Sequence, residues 1–127
     1  MKQNECIFCN IPVGYYVIDN EFFFALHDKY PVSPGHMLII PKRHVETWFE
    51  LSPEEKDSML LLAEEAKELI EKERRPDGFN FGINQGEAAG QTVPHLHLHV
   101  IPRYKNDVED PEGGIRGAVP HKRKYRE

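Results

Sequence analysis

One long helix, set between two groups of short apolar runs, is the feature that most restricts how this chain can fold. Ser52-Pro53-Glu54-Glu55 supplies an N-cap, a proline at the first helical position and a capping-box glutamate. The pattern runs to Arg75, and Pro76 stops it. Met59, Leu62, Ala66, Leu69 and Ile70 recur on one face, while Glu54 and Glu55 near the start and Arg74 and Arg75 near the end suit the helix macrodipole. Before the helix, residues 15–18 and 21–26 are aromatic and β-branched, joined by Asp19-Asn20, which suits a tight turn with positive φ. Residues 37–40 form a short buried run between Gly35 and Pro41, and residues 47–51 suggest a short helical turn. After the helix, residues 79–84 alternate as a half-buried strand does, and residues 95–101, bounded by Pro94 and Pro102, form the last strand. Strands, one long helix, then more strands predict a mainly antiparallel α+β domain with five strands, one long helix and one short one.

At 127 residues one hydrophobic core is expected, and 39% hydrophobic with 29% charged residues is ordinary for a globular chain. The net charge of −5 argues against general adhesion to nucleic acid or to anionic membrane. No run of about eighteen apolar residues occurs and residues 1–9 are polar, so the expected location is the cytoplasm. Residues 1–104 read as the domain and residues 105–127 as a charged tail ending in His121-Lys122-Arg123-Lys124-Tyr125-Arg126. The tail reads as a solvated end. Its rival reading has Arg116, Lys122 or Arg123 reaching over a site, of this chain or of a partner subunit, to contact polyphosphate.

The chemistry concentrates in Gly90-Gln91-Thr92-Val93-Pro94-His95-Leu96-His97-Leu98-His99-Val100. Side chains alternate across a strand, so Leu96, Leu98 and Val100 face the core while His95, His97 and His99 form a row of about 13 Å on the other face. Three rings spread over that length are poorly placed to share one catalytic metal. The row suits a reacting centre instead, with a middle imidazole flanked by two partners. The glycine-rich loop of residues 85–93 is expected to offer accessible backbone amides to anionic oxygens, and phosphate is the natural group there. A neutral imidazole is abundant near pH 7, and its second nitrogen needs an acceptor, such as a backbone carbonyl, to hold one tautomer. Cys6-Ile7-Phe8-Cys9 is a second constellation, which by itself supplies half of a tetrahedral zinc site; no βαβ unit surrounds it, which argues against a thioredoxin-like role.

Gln91 through Val100 resembles the signature of the histidine-triad (HIT) family, with the family's glutamine four residues before the first histidine. The resemblance extends through Pro31-Val32-Ser33-Pro34-Gly35-His36-Met37-Leu38-Ile39-Ile40-Pro41-Lys42-Arg43-His44, and covers residues 5–103. It implies a HIT-like fold and a hydrolase in which His97 attacks the α-phosphate of a nucleotide, forming a nucleotidyl-histidine that water then cleaves. His95, His99, Gln91 and the amides around Thr92 would assist. By the same resemblance Asp28 would bind ribose hydroxyls, Asn84 would lie near the phosphates, and His36 would be a fourth, supporting histidine. Taken alone, Asp28 reads as a turn residue and Asn84 as a strand cap. The resemblance also implies structural Zn2+ held by Cys6, Cys9, His44 and His95, and a homodimer with strands continuing across two subunits. Dinucleoside polyphosphates are the expected substrates, with nucleoside phosphoramidates as the alternative; a divalent cation arriving with the substrate stays open. A non-catalytic nucleotide- or zinc-binding regulatory module is the rival class, against which the presence of His97 argues.

Overall fold

The computed structural model describes residues 3–125; Met1, Lys2, Arg126 and Glu127, among them the last arginine of the basic run, lie outside the described residues. The long helix, α1, spans Pro53–Arg74. Its start is the capping box read from the sequence: Glu55 N donates to Ser52 Oγ at 3.1 Å, and Ser52 N donates back to Glu55 Oε1 at 2.9 Å. Its end is Arg75 in the left-handed region, φ 51° and ψ 56°, with Pro76 preventing continuation. Met59, Leu62, Ala63, Ala66 and Ile70 are buried, and Leu69 sits at the border of that stripe.

Five strands form one antiparallel sheet in the order β1-β2-β3-β5-β4: β1 Ile18–Asp19, β2 Phe23–His27, β3 Met37–Pro41, β4 Gly78–Gly82 and β5 Leu98–Arg103. The α+β class with one long helix is as predicted, and the short helix is a 3-10 turn at Trp48–Glu50. The hairpin differs from its prediction. Neither Asp19 nor Asn20 has positive φ; the Asn20 side chain builds the turn instead, its Oδ1 accepting from Phe22 N at 3.1 Å and Phe23 N at 2.9 Å. With this turn β2 starts two residues later than read, and of residues 15–18 only Ile18 is in β1, Val13–Tyr15 forming a 3-10 turn closed by Tyr16 N on Val13 O. The last strand also starts late, at Leu98 rather than residue 95, because Leu96 N pairs with Val45 O at 2.7 Å outside the sheet.

The two faces of the sheet do different work. Phe23, Ala25, Met37, Ile39, Leu98 and Val100 pack under α1 with Met59, Leu62 and Ile70. On the opposite face Phe24, Leu38 and Ile40 are covered by Phe8, Ile11 and Tyr16 of the amino-terminal segment. Central β3 is therefore buried on both faces, which is why it reads as an unbroken apolar run. Leu38 pairs with His99 across β3 and β5, so His99 stands on the face away from α1. No helix among the described residues is long and apolar enough to cross a membrane.

Residues 105–125 have a structure of their own, 3-10 turns at Gly114–Ala118 and Pro120–Lys122 tied by arginines. Arg116 donates to the carbonyls of Arg123 and Lys122 at 3.0 and 2.8 Å and lies over the Tyr125 ring. Arg123 donates to the carbonyls of Asp110 and Glu112, and Lys124 pairs with Asp110 at 3.0 Å. Both guanidinium groups are thus engaged inside the tail. Gly113 closes it at φ +91°, where a Cβ would collide with the Arg123 carbonyl. Gly113→Ala should unlatch the tail: trypsin should cut at Lys122 and Arg123 markedly faster, with the main unfolding transition unmoved. Unchanged cleavage would show that the latch does not depend on Gly113.

Candidate active site

Two clusters of donor atoms meet on the face away from α1, and both depend on His95 or its strand neighbours. In the first, Cys6 and Cys9 lie in a turn where Cys9 N donates to Cys6 Sγ at 3.4 Å. His95 Nδ1 is 3.3 Å from Cys6 Sγ, 3.4 Å from Cys9 Sγ and 3.2 Å from His44 Nδ1, and Cys9 Sγ is 3.1 Å from His44 Nδ1. All four ligand atoms lie within 4.8 Å of one another. Arg43 holds the loop that carries His44, making two hydrogen bonds to Glu55 at 2.8 and 2.9 Å; this guanidinium and the Ser52 amide keep the Glu55 carboxyl down at about 2.

The chemistry of this set fits a divalent, thiol-binding cation. His95 Nε2 lies 2.9 Å from the Pro41 carbonyl, which only accepts, so Nε2 carries the proton and Nδ1 turns its lone pair toward the sulfurs. A tetrahedron with zinc bond lengths has edges of about 3.3–3.8 Å, close to the separations here. Burial, then the neighbouring Cys6, pushes the Cys9 thiol up to about 11, and burial lowers His95, so a bound cation is what would draw the thiol protons off. The His95 ring is wholly buried. The expected open row of three imidazoles is therefore a row of two, because His95 is sunk beneath the amino-terminal turn.

Those two, His97 and His99, have ring centroids 5.1 Å apart. His97 Nδ1 lies 2.9 Å from the His95 carbonyl. A carbonyl cannot donate, so Nδ1 holds the proton and Nε2 keeps its lone pair, with no hydrogen bond to it among the described residues. His99 is fixed from the other side. Val32 N donates to His36 Nδ1 at 3.1 Å, so the proton of His36 is on Nε2, which is 3.0 Å from His99 Nδ1. His99 must then accept at Nδ1 and carry its own proton on Nε2. Burial first, then the adjacent His97 and His36, pushes His99 down to about 4, and burial lowers His36 against the pull of Asp28. Asp28 Oδ2 is 3.4 Å from His36 Nε2, and its Oδ1 accepts from Tyr30 N at 2.8 Å. Asp28, His36 and His99 also bring their ligand atoms within 4.8 Å. With His36 Nδ1 already accepting, however, Nε2 must keep its proton, and this group holds a proton rather than a cation.

The remaining candidates lie further out. Asn84 is exposed beyond the end of β4, and Thr92 is exposed. Gln91 fastens its own loop: Oε1 accepts from Gly86 N at 2.8 Å, and Nε2 donates to Glu46 O and Val93 O at 3.1 Å. The amides of Ala89, Gly90 and Gln91 are also engaged within the loop, so it offers fewer donors than its composition suggested. Three groups in the site were not singled out from the sequence: the Val32 amide, the Pro41 carbonyl and Phe8. The Phe8 ring makes edge contacts with His97 at 5.1 Å and His95 at 5.8 Å. Its position between the two cysteines was the available signal.

The depressed histidines carry a stability consequence. Between pH 6.5 and about 4 the unfolded chain takes up a proton that folded His99 refuses, so the His99 contribution to stability is constant above pH 6.5 and is lost as pH drops through that window. Urea unfolding at a series of pH values should show this decline, and His99→Asn should make it shallower, leaving the share of His36 and His95; an identical slope in the variant would remove His99 as a source.

Comparison with known proteins completes the picture. Residues 14–106 match the HIT domain family. A HIT family protein from Bacillus anthracis superposes with a TM-score of 0.76 at 41% identity, covering 82% of this chain and 77% of that one. A zinc-bound histidine triad family protein from Mycobacterium smegmatis gives 0.74 at 30% identity, over 95% and 97% of the two chains. Among relatives, the Bis(5'-adenosyl)-triphosphatase of Dictyostelium discoideum is 43% identical over 90 residues, 71% of this chain and 60% of that protein. The family match spans most of the chain and the superposed structures share its fold, and the chain belongs to the HIT family.

Proposed function

We propose that this chain is a nucleotidyl hydrolase in which His97 Nε2 is the nucleophile toward the α-phosphorus of a nucleotide. The observation that carries the reading is the 2.9 Å hydrogen bond from His97 Nδ1 to the His95 carbonyl, which leaves an unencumbered lone pair on the other nitrogen. In the first step the Nε2–P bond forms as the bond from phosphorus to the leaving oxygen breaks. In the second, water adds to phosphorus, the N–P bond breaks, and the water proton passes to solvent. The Nε2–H of neutral His99 donates to a non-bridging oxygen, where charge must be stabilised. Asp28 meets the ribose hydroxyls, while Asn84, Gln91 and Thr92 line the approach of the phosphates. The neutral state of His99 supports this role, since a ring held at about 4 stays a fixed, uncharged donor at pH 7.

Dinucleoside polyphosphates are the proposed substrate class, in keeping with the activity named for the Dictyostelium relative. The test is release of nucleoside monophosphate from diadenosine tetraphosphate and from an adenosine phosphoramidate. His97→Ala should lower turnover by roughly 10³-fold or more. Equal turnover by the variant would place the nucleophile elsewhere, and an inactive unmodified protein would mark a non-catalytic binding module.

We further propose that Cys6, Cys9, His44 and His95 hold structural Zn2+. When bound, zinc supplies no chemistry at phosphorus; it pins the amino-terminal turn to the strand that carries His97 and leaves His97 and His99 free. The zinc named for the Mycobacterium smegmatis relative and the donor geometry here support that choice. Purified protein should carry about one zinc per chain, and chelation should lower the unfolding midpoint. Absence of stoichiometric zinc, with both thiols titratable, would remove the assignment. A reducing cytoplasm suits the two free thiols, and the outer edge of β4, at the end of the sheet, suits continuation into a second copy of this chain.

A further inference from the structure

Among the described residues the His97 ring has three hydrogen-bond and ring partners: the His95 carbonyl, the His99 ring and the Phe8 ring. Two of the three come from inside the four-donor cluster. His95 contributes its ring to the cluster and its carbonyl to His97, and Phe8 is carried in the turn between Cys6 and Cys9. The two middle residues of that turn go opposite ways: Ile7 is 62% exposed, whereas Phe8 is half-buried and packs on Phe24, Leu38 and Ile40.

A single hydrogen bond at Nδ1 does not hold a partly exposed imidazole in one orientation. Rotation about the Cβ–Cγ bond carries Nδ1 off the carbonyl, puts Cδ2 toward it and frees the Nδ1 proton to exchange, and the Phe8 ring stands edge-on against the imidazole at 5.1 Å and 71°. The same ring meets His95 at 5.8 Å and 88°, so it bridges the cluster and the nucleophile.

We propose that Phe8 is a positioning residue for His97: seated by the turn between the two cysteines, its ring blocks rotation of the imidazole and keeps Nδ1 on the His95 carbonyl. This rests on His97 being the nucleophile. It also gives the cluster a second consequence, because loosening Cys6 or Cys9 releases Phe8 and frees the His97 ring.

The test compares Phe8→Leu, which keeps apolar volume, and Phe8→Tyr, which keeps the ring, with the unmodified protein, all supplied with Zn2+. Phe8→Leu should lower kcat by roughly three- to tenfold, the range such a ring contact is worth, with KM within about twofold. Zinc content should hold, and the ring 15N signals of His97 should move from a single Nδ1–H tautomer toward a mixture. Phe8→Tyr should restore both the rate and the single tautomer. A Phe8→Leu protein with unchanged ring signals, or one whose whole defect lies in KM, would overturn the proposal, the second result making Phe8 a substrate contact. If the unmodified protein turns over neither nucleotide, the nucleophile reading fails, and the ring signals still decide whether Phe8 positions His97.

Discussion

The site depends on one backbone carbonyl. His95 O accepts from His97 Nδ1, and by elimination this decides which nitrogen of His97 keeps a lone pair. The carbonyl is held in place because the side chain of the same residue is anchored twice, through Nε2 to Pro41 and through Nδ1 to the cysteine pair. The amino-terminal turn is thus joined to the imidazole two residues along the chain by direct contacts through His95.

A comparable elimination runs from the other side. Val32 N–H fixes His36, His36 fixes His99, and a backbone donor thereby leaves a proton on the outer nitrogen of His99. The two chains of logic end oppositely, a lone pair at His97 and a donor at His99, on rings 5.1 Å apart. For the proposed reaction these are complementary roles, a lone pair to attack phosphorus and a donor to stabilise charge on its oxygens. Burial keeps His99 and His36 neutral, so the pair needs no proton adjustment near pH 7.

Much of the fold was legible because its signals are local. The capping box at Ser52 and the stop at Pro76 depend on residues within one turn, and both ends of α1 fall within a residue of their reading. The unbroken apolar run of β3 marked a strand buried on both faces. Where a side chain replaced a backbone device the reading slipped: Asn20 makes its turn through Oδ1, and β2 moved with it. The start of β5 slipped for a long-range reason, since Val45, 51 residues earlier in the chain, takes the Leu96 amide away from the sheet.

By itself the sequence determined the class of fold, the span of the helix and which residue types are available to act, because periodicity, caps and a spaced motif are properties of neighbours along the chain. Only the tertiary structure decided how the histidines divide their work. His95 goes inward to the sulfurs while His97 and His99 stay half-buried, and their tautomers are set by the His95 carbonyl and, through His36, by the Val32 amide. Phe8 likewise takes its place against His97 only once residues 89 positions apart, Cys6 and His95, have met. Main-chain donors and acceptors carry no mark in a sequence, and each acquires a partner only when the sheet and the amino-terminal turn have closed on one another.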